Sequence, residues 1–136
     1  MKNQLVEEWL ERGKRDLETA KLLISSSDYF DIILFHIHQA VEKYFKGLLI
    51  SRGWMLKKVH DLEVLITEAI KFDDSFQEYL DFGRKLTGFY FEGRYPPGPI
   101  STYSKEEIKK ILNIAKEIIE KINIFREKSR IMNQDI

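Results

Sequence analysis

The sequence predicts an all-α fold, an up-and-down four-helix bundle with an additional short helix. Three observations predict it. Apolar residues recur at three- and four-residue steps along most of the chain, the spacing of one helix face. No long stretch alternates apolar and polar residues with period two, as a half-buried strand does. Helix breakers are few and clustered: seven Gly and three Pro in 136 residues, with Pro96, Pro97 and Pro99 in one stretch. A chain of this size buries about two-thirds of its unfolded surface around one core. Residues 1–136 are therefore expected to form a single domain.

The first helix is expected from about Asn3 to Ser25, with Trp9, Leu10, Gly13, Leu17, Ala20 and Ile24 as its apolar stripe. Glu7, Glu8 and Glu11 favour its start through the helix dipole. Ser25, Ser26, Ser27 and Asp28 break it, and Asp28 can cap the next helix. The second helix runs from about Tyr29 to Arg52, with Gly53 as its stop. Phe30, Ile33, Leu34, Ile37, Val41, Tyr44 and Leu48 share one arc, and Ile32, Phe35 and Ile50 fall on the other side. A helix apolar on both sides is either central or shared with a second subunit. A small bundle normally leaves each helix a solvent side, so a homodimer through this helix is expected. His36 lies near that second face, within reach of a partner subunit, whereas His38 borders the core arc as a packing residue.

The third helix is short, from about Asp61 to Ile70, and turns Leu62, Leu65, Ile66 and Ala69 inward. Ser75 and Glu78 are spaced as a capping box that starts the fourth helix. Phe76, Tyr79, Leu80, Gly83, Leu86, Thr87 and Tyr90 line its inner arc, and the small pair Gly83 and Thr87 allows a close crossing. Ser104 and Glu107 form a second capping box. The fifth helix then runs to about Lys128, with Ile108, Ile111, Leu112, Ala115, Ile118, Ile119, Ile122 and Phe125 inward.

Composition narrows the chemistry. There is no cysteine, which excludes disulfides, thiolate metal sites and a cysteine nucleophile. The 22 basic and 22 acidic residues cancel, so no broad positive field exists to coat a nucleic acid. No HExxH motif, phosphate-binding glycine loop or nucleophile elbow is present, and no metal site or cofactor is expected. No run approaches the ~18 apolar residues of a membrane span. The opening MKNQLVEEWLERGKRDLE is too acidic and polar for a signal peptide, so a cytoplasmic location is expected. Fifteen Lys and fourteen Glu against four Gln hint at a thermophilic source.

Three small clusters carry the candidate chemistry. His60 follows Lys57 and Lys58 at the start of the third helix, where a helix N-terminus and two cations favour an anion. Arg84, Tyr90, Arg94 and Tyr95 lead into a proline-stiffened turn, and a guanidinium and a phenol on a rigid loop suit phosphate contact. Gln39, Lys43 and Lys46 are spaced four and three apart on what reads as the outer side of the second helix, interleaved with Glu42. Lys43, Lys46, Lys58, Arg84 and Arg94 are enough for a small anion cleft without a basic tail.

These residues also carry a resemblance. The segment WLERGKRDLETAKLLI from Trp9 to Ile24, Tyr29, and HQAVEKYFKGLL from His38 to Leu49 resemble the opening of the HEPN domain family. His60-Asp61-Leu62 with Leu65, and Arg94-Tyr95-Pro96, resemble two later family elements. The likeness spans about residues 5 to 125. It implies a helical bundle that dimerises, a role with a nucleotide or RNA, and a minimal nucleotidyltransferase as partner in a toxin–antitoxin-type pair. On this reading Gln39, Lys43, Lys46, Arg84, Arg94 and Tyr95 are the candidate binding residues: Arg94, Lys43 and Lys46 contact phosphate, and Tyr95 and His60 shape the pocket. Other family members are metal-independent ribonucleases that carry Arg, four to six residues, then His. Here seven residues separate Arg52 from His60, and the residue six beyond Arg84 is Tyr90, so that motif is absent. A ribonuclease would have to use His60 and Arg94. A non-catalytic dimeric interaction module is the third expectation.

Overall fold

The computed structural model describes residues 2–92 and 103–134. Five α-helices follow in order: α1 Lys2–Ser26, α2 Phe30–Ser51, α3 Leu62–Ile70, α4 Leu80–Glu92 and α5 Lys105–Gln134. A 3-10 helix, Asp74–Tyr79, leads into α4. The described residues contain no strand.

The α1–α2 pair is an antiparallel hairpin drawn close by two glycines. A Cβ on Gly13 would lie 2.8 Å from the Tyr44 ring, and one on Gly47 would lie 2.8 Å from Leu10 Cδ2. The expected stripe of α1 is buried from Leu10 to Ile24, and Val6 extends it by one turn. At its other end α2 stops as the sequence predicts. Gly53 takes φ 96°, Trp54 N–H reaches the Leu49 carbonyl at 2.9 Å, and Gly53 N–H reaches that of Ile50 at 3.1 Å.

The chain then doubles back, and Asp61 caps α3 by accepting from the Glu63 N–H at 2.9 Å. Thr87 Oγ1 accepts the buried Leu62 N–H at 3.0 Å, so α4 satisfies a second orphan donor of α3. The close crossing expected at Gly83 is there: an added Cβ would lie 2.6 Å from Ile66 Cδ1. The start of the fourth helix differs from expectation. Asp73, not Ser75, is the cap, accepting from Ser75 N–H at 3.0 Å and Ser75 Oγ at 2.6 Å, and the first turn is 3-10 rather than α. The serine hydroxyl is itself engaged, donating to the charged Asp73 carboxylate two residues ahead. That bond from Ser75 Oγ, more than the one from its amide, holds the Asp73 carboxyl below its ordinary range. Ser104 does cap α5, accepting from Glu107 N–H at 3.2 Å. The helix continues past the expected Lys128 to Gln134.

Helix α2 is the hub. It packs against α1, α3, α4 and α5, and every residue from Val41 to Ile50 except Lys43 is buried. That accounts for most of its second apolar face within one chain. Ile50 is buried, Phe35 stacks on Tyr90 at 5.8 Å, and Ile32 stays exposed. Being central, rather than shared with a partner, explains two of those three residues.

Candidate functional site

Because α2 is enclosed, its polar residues are enclosed with it. His38, Glu42 and Lys46 repeat every four residues and form one stripe inside the bundle, 0%, 2% and 3% exposed. Burying a carboxylate is costly unless it is paired and hydrogen-bonded. Here Lys46 Nζ donates to Glu42 Oε2 at 3.1 Å, and His60 Nδ1 lies 3.0 Å from Glu42 Oε1. The Lys46 ammonium also lies 5.2 Å from the centroid of the Trp9 ring, a cation–π contact from α1.

Above Glu42 the aromatic rings are layered. Tyr90 of α4 stacks on His38 at 4.1 Å and 13°, and its ring also meets Phe91 at 5.1 Å, Phe35 at 5.8 Å and His60 at 6.1 Å. His38 is thus the packing residue that its place beside the core arc predicts. His60 is the one member of the cluster with substantial access to solvent, its side chain 49% exposed. Glu42 engages one ring nitrogen and fixes the ring, leaving the other nitrogen for an outside partner. The result is a buried carboxylate presenting a half-exposed imidazole beside a phenol.

A second cluster lies about 100° further round α2. Asp16 of α1 receives Lys43 Nζ at 2.5 Å and lies 2.9 Å from His36 Nδ1. His36 therefore pairs within its own chain.

The residues singled out in the sequence do not meet at one point. Lys43 belongs to the Asp16 cluster and Lys46 to the Glu42 cluster. Gln39 is partly buried between them along the helix. Lys46 is not on an outer face, because α2 has almost none. Arg84 is on the exposed side of α4, bound to Glu63 at 2.9 Å and Asp81 at 3.2 Å. That pairing lowers the Glu63 carboxyl and raises the guanidinium from their ordinary values. Lys57 and Lys58 are exposed in the loop before His60. Arg94 and Tyr95 lie outside the described residues. Tyr90, near the end of α4, borders His60.

Glu42 is the residue that sequence reasoning passes over as part of a solvated face. The signal is present: 38, 42 and 46 form a polar stripe on a helix apolar on both flanks. No group of three or more His, Cys, Asp or Glu among the described residues is placed to hold a metal ion. No helix among them is long and apolar enough to cross a membrane.

The HEPN domain model matches residues 6–125. The chain belongs to the HEPN domain family. Solved HEPN-like structures share the fold. Over 87% of this chain and 95% of the other, TT1696 from Thermus thermophilus superposes with a TM-score of 0.75 at 24% identity. ST0689, an archaeal HEPN homologue, superposes over 87% and 94% with a TM-score of 0.69 at 26% identity. In sequence, a Methanocaldococcus jannaschii protein bearing the name "Putative toxin MJ1304" is 29% identical over 131 residues, 86% of this chain and 85% of that one. The two segments that carry the resemblance most fully, Trp9–Ile24 and His38–Leu49, are in this HEPN domain the two packed halves of the α1–α2 hairpin.

Proposed function

We propose that this HEPN protein is the nucleotide-binding component of a toxin–antitoxin-type pair, with a minimal nucleotidyltransferase as its partner. The observation that carries the proposal is the His60 imidazole, anchored by buried Glu42 beside Tyr90. Such a ring can donate to or accept from a phosphate or ribose oxygen without first being ordered. Arg94 and Tyr95 supply the phosphate contact and the pocket wall. Lys46 acts through Glu42, whereas Lys43 is held by Asp16 in the neighbouring cluster. The likeness to a protein named as a toxin supports the pairing, and the HEPN membership supports the ligand class. The protein acts as a homodimer. Its seat is the start of α2, where Tyr29 and Ile32 are exposed, and the end of α4, where Phe91 is exposed.

Two measurements test this. Co-expression with a minimal nucleotidyltransferase from the same genome should yield a complex that co-purifies and relieves growth arrest. Titration of labelled protein with nucleotides should move the His60 and Tyr90 signals. If neither complex nor shifts are seen, the proposal fails.

A second reading is a metal-independent ribonuclease with His60 as general acid or base and Arg94 on the phosphate. The orientation of His60 by a buried carboxylate favours it, because proton transfer needs a fixed ring. Purified protein should then cleave tRNA or mRNA with chelator present. Cleavage that survives both His60→Ala and Arg94→Ala would exclude that mechanism.

A further inference from the structure

The opposite end of the bundle carries a feature outside the His60 site. Where α1 begins, α2 ends and α5 nears its end, a cleft of about 730 Å³ opens, lined by Arg52, Arg126, Arg130, Ser51, Ser129 and Asn123 among others. It lies ten residues beyond Glu42 on or just past α2, roughly 15 Å along the axis, so it is separate from His60.

Arg52 is exposed, and it makes no ion pair with any carboxylate among the described residues. Its orientation comes from rings instead: the guanidinium carbon lies 5.0 Å from the Phe72 centroid and 5.4 Å from that of Phe125. A cation held by aromatic faces keeps its N–H edge available for an anion. The other two guanidinium groups are in ion pairs at the surface, Arg126 with Glu7 at 3.2 Å and Arg130 with Glu127 at 2.6 Å. Exposed pairs of this kind are weak and exchange partners readily. Three arginines against Glu7 and Glu127 leave the cleft one net positive charge.

The backbone is consistent with an anion there. The α1 N-terminus contributes its positive end. The last α2 carbonyls are already occupied: Leu49 and Ile50 accept from Trp54 and Gly53, and Leu48 accepts from Ser51 Oγ at 2.5 Å. Rings that are covered by a guanidinium are poor stacking platforms for a base, whereas arginine forks suit phosphate oxygens.

We propose that this cleft binds a phosphate group, with Arg52 as the fixed contact and Arg126 and Arg130 as contacts that leave their carboxylates to join it. The phosphate belongs either to a free nucleotide or to an RNA backbone.

Calorimetry on the full chain tests this with inorganic pyrophosphate, ATP and a ten-residue uridine RNA, with sulfate at matched ionic strength as control. At least one phosphate probe should bind saturably and more tightly than sulfate. The Arg52→Gln/Arg130→Gln double variant should weaken that binding at least tenfold. Arg130→Gln alone, at an exposed position, should weaken it several-fold with an unchanged melting curve. Binding of ATP and pyrophosphate but not RNA assigns a free nucleotide; binding of RNA but not pyrophosphate assigns the backbone. Absence of saturable binding, affinity no better than for sulfate, or undiminished binding in the arginine variants would overturn the site. Binding lost in His60→Ala but kept in the arginine variants would overturn it too, while supporting the His60 end.

Discussion

Two ionic clusters grow from neighbouring residues of one helix, about 100° apart around its axis. Glu42 points inward and is 3% exposed, as is Lys46. Lys43 points to the α1 groove, where it and Asp16 keep 22% and 12% of their side-chain surface. The residue types are alike, but the surroundings are not. Around Glu42 almost no water is left to screen or replace a lost partner, so each charge depends on the others. Around Asp16 water can substitute. A buried cluster therefore specifies one arrangement and is costly to break, whereas a rim cluster staples two helices loosely.

Substitutions separate the two. Lys46→Met leaves the Glu42 carboxylate buried with one cation fewer, and urea unfolding should show a loss of about 3–5 kcal/mol. The double variant Glu42→Leu/Lys46→Met should recover most of it, because the charge needing compensation is gone. A recovery below half would mean that Glu42 contributes net stability. On the α1 side, Gly47→Ala pushes a methyl against Leu10, with an expected cost of about 1–3 kcal/mol and a wider α1–α2 spacing. Asp16→Asn should cost only about 1 kcal/mol, and Lys43→Met no more. If Asp16→Asn matches Lys46→Met, the contrast between inner and rim clusters is wrong.

Tyr79 provides a pH control away from both clusters. Burial, and then Glu78, push its phenol up to about 12. The neutral form is the one that folding favours, so its contribution is complete below about pH 10, the unfolded value, and is lost as pH rises towards 12. Chemical denaturation across that window should show a decline that Tyr79→Phe makes smaller by about 2 kcal/mol, the remainder including buried Tyr44, whose phenol is also pushed up. The smallest effect is expected at Arg84→Ala, whose solvent-exposed pairs should leave the melting midpoint within error.

Much of the fold is legible in the sequence because it rests on local rules. The apolar stripes, the Gly53 stop, the Ser104 cap and the Gly83 crossing each depend on a few residues close in sequence. The capping at Asp73 is harder to read because two cap motifs overlap two residues apart, and the charged one takes the serine hydroxyl as its donor. The candidate site is less legible. That Glu42 is inside follows from α2 being covered on all sides, a property of the assembled bundle. The Asp16 and Lys43 pair likewise depends on how α1 lies against α2, 27 residues apart in the chain. The polar stripe at 38, 42 and 46 is a local trace of the first fact, and the second leaves none.

The covering of α2 by four other helices has a temporal consequence. Amide hydrogens exchange with solvent through whatever opening first exposes them. The loop before α3 and the ends of α1 and α5 can open locally, but the middle of α2 cannot be exposed without dismantling its neighbours. The amides from Val41 to Leu49 should therefore exchange last, at the rate set by global unfolding, and serve as the protein's slowest clock.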